Sequence, residues 1–457
     1  MFSYKLRADV LLKKKNHGCY LFSILTERYV YWKTEAPEEL INTLKARWLN
    51  EDDMAGLFSP LPEAPDWPTF FYFFDKLISA GFLIARFSQN DKPVFSVSPA
   101  PKKSVYQKNR INPETRYRLS RFALIRQDGD EMVLESALTP CRFIIHKKEL
   151  SELLFRLCGG MVPDTSETEF GALLAALYAT GIIEAAHGEQ TDPQDPLDAW
   201  EFHDLFFYSR TQKGRHLFPI GGTYRFAGKR NSPPVVKPLV SEDIISLNRP
   251  DGILLDKMAQ PFEKILEARR SKRKYSKTPV SLAELAAFLF YSSRIQGLVH
   301  DDAHEDIVSL RPSPSGGARH AFEIYPFVRE CKNCDPGVYR YCPREHGLEK
   351  IKFPDKTIQK LLDWNPHKVI SPIPPHITLY ISARFERMSW KYESIAYKLI
   401  QQDLGCLYQT FYLVAEAMDL GPCALGDVDT VLLGQVLEID WQIEPFIGGF
   451  TLGKCDE

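Results

Sequence analysis

No apolar run in this 457-residue chain approaches the roughly 20 residues that a membrane-spanning helix needs. The N-terminus, MFSYKLRADVLLKKKNHG, lacks the order of basic, apolar and small residues that marks a signal peptide. Net charge is missing as well. Lys and Arg total 57 against 59 Asp and Glu, a balance of −2, so nothing global draws the chain to nucleic acid or an anionic membrane. The nine cysteines (19, 141, 158, 331, 334, 342, 406, 423 and 455) form an odd, scattered set. That pattern suits reduced thiols in a cytoplasmic protein and not a disulfide framework. What is present is enough apolar material, 44% with 12% aromatics, for two or three domains.

Taken in order, residues 6 to 33 alternate like short strands, with polar turns at Asn16-His17-Gly18 and Thr26-Glu27-Arg28. Helices are expected from Pro37 to Trp48 and from Trp67 to Ala80, the second ending at Gly81 before the strand Phe82-Leu83-Ile84. Residues 88 to 113 collect Pro, Ser and Lys and read as a linker. LSRFALIRQDGDEMVLES then reads as a strand, an Asp-Gly turn and a strand. LISAGFL at 77 to 83 is echoed by LYATGII at 177 to 183, which points to a duplicated small domain. A second linker covers 187 to 199. The domains expected are therefore 1–90, 114–186 and 200–457. The third mixes strands (Ala321 to Arg329, Gly337 to Cys342, Ile377 to Ala383, Phe446 to Leu452) with helices, an α+β arrangement. Its longest helix is expected over about Tyr392 to Asp419, and Ser281 with Glu284 forms a capping box for another.

Three stretches carry chemistry. Arg269-Arg270-Ser271-Lys272-Arg273-Lys274 sets five cations and a hydroxyl where they could surround a phosphate, or form a solvated basic loop. Arg311-Pro312-Ser313-Pro314-Ser315-Gly316-Gly317 lets backbone and hydroxyls approach a planar ligand, or is an ordinary turn. Gly421 to Asp427 is a tight loop after the long helix, by itself no more than a helix end. Lys391 and Tyr392 are adjacent titratable groups just before that helix.

In this order, with WEFHDLFFYSR, GVYRYCPREHGLEKI and a terminal GGFTLGK, residues 200 to 457 resemble the nitroreductase-like flavoproteins. The resemblance is to the SagB-type azoline dehydrogenases of thiazole/oxazole-modified peptide pathways, and the layout is most similar to the cyanobactin thiazoline oxidases. It implies FMN at a homodimer interface and two winged-helix-like peptide-recognition domains ahead of the FMN domain. The implied partners are a heterocyclised precursor peptide and a cyclodehydratase. By motif position Arg269, Ser271 and Arg273 would grip the FMN phosphate, with Lys454 a further contact. Ser313, Ser315 and Gly316 would line the flavin, and Leu425 and Gly426 would lie against its ring system. Tyr408 and Gln409 read as core or flavin-edge positions. Lys391 and Tyr392 would be catalytic.

The chemistry asks for such a pair independently. Oxidising an azoline removes a hydride, which the cofactor takes, and a proton, for which the protein must supply a base. Free Tyr and Lys titrate near 10 and 10.4, so burial of the lysine or a cation beside the tyrosine would be needed to poise one of them. Which of the two takes the proton stays open. Two readings compete with the oxidase: a nicotinamide-dependent nitro- or quinone reductase, and a non-catalytic scaffold that presents peptide to a cyclodehydratase. Cys331, Cys334 and Cys342 lack the further ligand that a structural zinc site needs, so no metal is expected. His203-Asp204 reads as structural, and His300, His304 and the acids between them as a solvated loop.

Overall fold

A computed structural model describes the chain except for residues 16–17, 33–37, 59–66, 103–110, 164–167, 187–194, 353–354 and 456–457. The turn expected at Asn16-His17, residues 103–110 of the first expected linker and residues 187–194 of the second lie outside the described residues. Among the described residues no helix is long and apolar enough to cross a membrane. The chain divides into two units, Met1–Ile220 and Gly221–Glu457.

In the first unit the two expected small domains share one six-stranded sheet. Its order is Phe2–Leu6, Leu83–Gln89, Lys92–Ser98, Arg142–Ile145, Glu131–Ser136 and Ala123–Asp128. The join runs through Lys92–Ser98, which falls inside the stretch 88 to 113 read as a linker. Val94, Phe95, Ser96 and Val97 are all buried, because the strand pairs with Leu83–Gln89 on one side and Arg142–Ile145 on the other. A strand covered by neighbours on both sides reads as a short apolar run, and the flanking Pro and Lys hid it. The 77–83 and 177–183 echo does appear as matching geometry. Gly81 and Gly181 both end their helices at φ 73°, and Phe82 and Ile182 donate back to the Leu77 and Leu177 carbonyls. This helix end needs a left-handed residue, which glycine supplies without a Cβ penalty. The helix Phe202–Arg210 also belongs to this unit. Leu205 packs with Phe122 and Ala137, so the second unit starts at Gly221 and not near residue 200.

The second unit is built on a seven-stranded antiparallel sheet: Ile244–Ser246, Gly347–Lys352, Gly337–Cys342, Phe322–Val328, Ile377–Ala383, Phe446–Gly453 and Gly421–Leu425. Every residue of Ile377–Ala383 is buried, since both faces are covered. Ile377, Leu379 and Ile381 join Phe288, Leu404 and Phe411 of the helices Leu282–Ser293 and Ala396–Ala417. Tyr380 points to the other face, with Ile358 and Leu433 of two shorter helices. The period of two along a strand makes this division automatic. The capping box is present: Ser281 Oγ accepts from Glu284 N at 3.2 Å while Glu284 accepts from Ser281 N at 2.9 Å. The proline-rich segment over 233–238 is strapped to the unit by its carbonyls, Pro233 to Arg387 (2.6 Å) and Pro238 to Arg340 (2.8 Å).

Candidate active site

The long helix begins at Ala396 and not at Tyr392. Tyr392–Glu393 instead forms a short strand against Gly221–Gly222, and Ser394, at φ 62°, breaks the chain before the helix. That break turns Lys391 and Tyr392, both half-buried, toward the Ser-Gly-Gly loop. Gly317 has φ 60°, and a Cβ placed on it would overlap Tyr392 Oη and come within 2.9 Å of Lys391 Nζ. Both functional groups therefore reach one point over a residue that has no side chain.

The loop is held from the helix by Asp403. Ser315 Oγ donates to its Oδ2 at 2.6 Å, Gly316 N donates to its Oδ1 at 3.0 Å, and His320 N donates to Ser315 Oγ at 3.0 Å. Burial pushes the Asp403 carboxyl up, and the two donors act against that shift. Ser313 is buried behind the loop. Asp403 is a site residue that the sequence did not reveal, since an acid within an amphipathic helix looks like surface.

Behind Lys391 stands a second group that the sequence misread. The residues 297–310 form a hairpin, Gly297–Asp301 against Asp306–Leu310, in place of the solvated loop expected around His300 and His304. His304 stacks on Tyr224 at 3.5 Å, 8° from parallel, and Tyr224 Oη donates to Asp301 at 3.3 Å. His304 Nδ1 lies 3.0 Å from the same carboxylate, and Lys391 Nζ lies 5.1 Å over the Tyr224 ring. Desolvation raises the Asp301 carboxyl, but His304, Tyr224 and the Lys391 charge together hold it below the usual carboxylate range. The stack restricts the lysine to an electron-rich ring face.

The basic stretch meets the far half of the same helix. Ser271 Oγ and Tyr412 Oη lie 2.9 Å apart, and Tyr412 Oη accepts from Ala424 N at 2.8 Å. Lys272 N donates to Pro422 O at 2.9 Å, and its ammonium pairs with Glu416 at 3.4 Å. Arg269 lies 5.2 Å over the Tyr412 ring, and Arg273 acts on the Cys423 thiol, which burial raises and the guanidinium lowers. Neither arginine has a carboxylate partner among the described residues. Leu425 is buried at the end of its strand, whereas Gly426 is exposed, with no heavy atom within 4 Å of a Cβ placed there.

One helix thus spaces the two halves of the site. Asp403 and Tyr412 are nine residues apart, about 14 Å along the axis. Two expected positions stand apart from this set: Gln409 is exposed on the helix, and Lys454 directs its ammonium to Glu284 at 3.1 Å. Its carbonyl accepts from Ser276 N at 2.8 Å, two residues past the basic stretch. The thiols of Cys331 and Cys334 donate to the Lys332 and Asp335 carbonyls. Among the described residues no group of three or more metal-ligating side chains occurs.

His320, in the same loop, is held at about 3 by burial and by the charges of Arg311 and Arg387. Unfolded histidine takes its proton near 6.5. The folded protein is therefore expected to lose stability as pH falls from about 6.5 toward 3, by up to about 1.4 kcal/mol per unit from this residue. Other buried histidines share the trend, so the informative measurement is a comparison. Urea midpoints at pH 7.5 and 5.5 should differ less in His320→Gln than in the wild type; equal differences would remove His320 from the account.

Comparison with known proteins follows the division of the chain. Residues 266–454 match the nitroreductase family, and residues 117–217 match the cyanobactin oxidase ThcOx model. A nitroreductase-named protein of Methanocaldococcus jannaschii is 28% identical over 178 residues, 39% of this chain and 84% of the relative. The trifolitoxin-processing protein TfxB of Rhizobium leguminosarum bv. trifolii is 31% identical over 31% of this chain and 39% of its own length. The microcin B17-processing protein McbC of Escherichia coli is 24% identical over 32% of this chain, and the match spans 56% of McbC. Solved structures align over 52% to 54% of the chain with TM-scores of 0.35 to 0.38. The two matches make the chain similar to the nitroreductase family over residues 266–454 and, ahead of that stretch, to the cyanobactin oxidase ThcOx.

Proposed function

We propose that the chain is an FMN-dependent oxidase that converts thiazolines or oxazolines of a ribosomal peptide to the aromatic azoles. The observation that carries this reading is the convergence of Lys391 Nζ and Tyr392 Oη over Gly317. The ThcOx match and the two relatives named as toxin-processing proteins support a peptide substrate.

The donor set suits FMN. Arg269, Ser271 and Arg273 offer two guanidinium groups and a hydroxyl to a phosphate, and the open Gly426 leaves room for a flat ring system. When bound, FMN supplies a two-electron acceptor that takes hydride from the heterocycle and that dioxygen can reoxidise. The chain's own residues do the rest. Lys391 and Tyr392 reach a ring carbon's proton from one side, and the Asp301–Tyr224–His304 stack keeps the lysine head group there. Asp403 fixes the loop below.

The test is mass spectrometry of a heterocyclised peptide after incubation with the protein. Loss of two hydrogens per ring is expected; no loss with FMN present would end the proposal. A nitroreductase-named relative favours one alternative, and rapid NADH or NADPH oxidation without any azole would select it. Replacing Arg269 and Arg273 together by Gln should weaken FMN retention by about 100-fold or more, since each charge-assisted hydrogen bond contributes about 1.5–3 kcal/mol. Flavin absorbance after gel filtration measures this. The remaining parts of the reading are a homodimer that completes the flavin site, a cytoplasmic setting and a cyclodehydratase that supplies the azoline. In it, winged-helix-like elements of the first unit hold the precursor peptide by strand addition.

A further inference from the structure

Within Met1–Ile220 lies a cavity of about 260 Å³. It gathers guanidinium groups from positions far apart in sequence: Arg7, Arg142, Arg210 and Arg215, with His216 among them. Its two carboxylates already have partners. Asp9 pairs with Arg7 at 2.9 Å and accepts from Ser23, and Glu135 accepts from Arg126 at 2.7 Å. Cations exceed anions on the wall, four to two, although Arg142 is also paired with Asp128 outside it.

Several donors there also lack acceptors. Arg142 Nε and His216 Nε2 are buried without a partner at hydrogen-bond geometry, and His216 is 8% exposed. Its Nδ1 accepts from Phe218 N at 3.1 Å, which leaves Nε2 as the N–H. Buried polar groups are almost always satisfied, so Arg142 Nε, and His216 Nε2 beyond its backbone contact with Arg210, call for an acceptor in the cavity. Burial and the Arg210 charge hold His216 below its ordinary value, against a backbone hydrogen bond with Arg210 that acts the other way. Arg215 stands exposed at the mouth, its Nε donating to Ser209 Oγ at 3.2 Å. Ile84, Phe206 and Leu217 supply apolar wall between the charges.

We infer that this cavity is a binding site for a carboxylate on a short aliphatic stem. Guanidinium forks bind the paired oxygens of carboxylate and phosphate alike, and the apolar wall, which suits the methylenes of a stem, selects the carboxylate. An acidic peptide side chain and a free small dicarboxylic acid both present that chemistry.

Calorimetric titration of the full chain tests it with succinate, with a capped peptide bearing one Glu, and with inorganic phosphate. Saturable binding of either carboxylate supports the site. The peptide binding tighter assigns a peptide source, and succinate binding tighter a free acid. Arg142→Gln and Arg215→Gln should each weaken the carboxylate about tenfold or more, with melting temperatures checked against the wild type. Should a variant fail to fold, the His216 ring resonances in the wild type decide: a carboxylate at Nε2 must raise that residue's pKa. No saturable carboxylate binding, phosphate binding as tightly as both carboxylates, affinity unchanged in both folded variants, or a His216 titration unmoved by succinate would each overturn the inference.

Discussion

Tyr392→Phe and Lys391→Met are each expected to lower azole formation by about 10²–10⁴-fold while FMN stays bound. That range is what a positioned acid or base contributes, about 3–5 kcal/mol of barrier. Flavin retention should survive because the Arg269–Arg273 stretch is anchored at Tyr412, about 14 Å along the helix from Asp403. The two variants also separate the roles. The base's loss removes the acidic limb of the pH–rate profile, whereas loss of its neighbour shifts that limb. Tyr224→Leu takes away the ring under Lys391 without touching either group and should cost less than both. Wild-type turnover in both primary variants would defeat the assignment.

The motifs proposed to form the site in the second unit were legible because each is contiguous in sequence. RRSKRK, SPSGG and Lys391-Tyr392 all meet the long helix or the turn before it. The strand Ile377–Ala383 runs over the residues that its pattern indicates. The residues that hold those motifs in place were not legible. Asp403, Tyr412 and Asp301 act on partners 88, 141 and 77 positions away, and nothing local distinguishes them from surface acids or core aromatics. Tyr392 was assigned to a helix because its neighbours have good helical spacing. Pairing with Gly221–Gly222 overrides that propensity, as tertiary contacts commonly do. The first unit misled for a related reason. Lys92–Ser98 has linker composition at its ends and strand burial in its middle, and only the partner strand Arg142–Ile145, some 50 residues on, shows which prevails.

Gly317→Ala should be as damaging as loss of either catalytic candidate, although it removes no functional group. Two costs coincide at this position. At φ 60° an alanine pays about 1–2 kcal/mol for the left-handed backbone. Its Cβ would also occupy the point that Tyr392 Oη and Lys391 Nζ share. The loop cannot retreat, because Gly316 N and Ser315 Oγ are fixed on Asp403, and a Cβ on Gly316 would already lie 3.2 Å from Leu399 and Met388. The two side chains must therefore move, and displacement of a reacting group by about 1 Å can cost about 10²-fold. Expected are a melting temperature a few degrees lower, retained FMN and turnover reduced at least 10²-fold. Gly405→Ala, exposed in the long helix with no heavy atom within 4 Å of its Cβ, should go the other way. There alanine is expected to stabilise by about 0.5–1 kcal/mol and leave turnover unchanged. If Gly317→Ala turns over azoline at the Gly405→Ala rate, Lys391 and Tyr392 do not act at the place where their side chains meet.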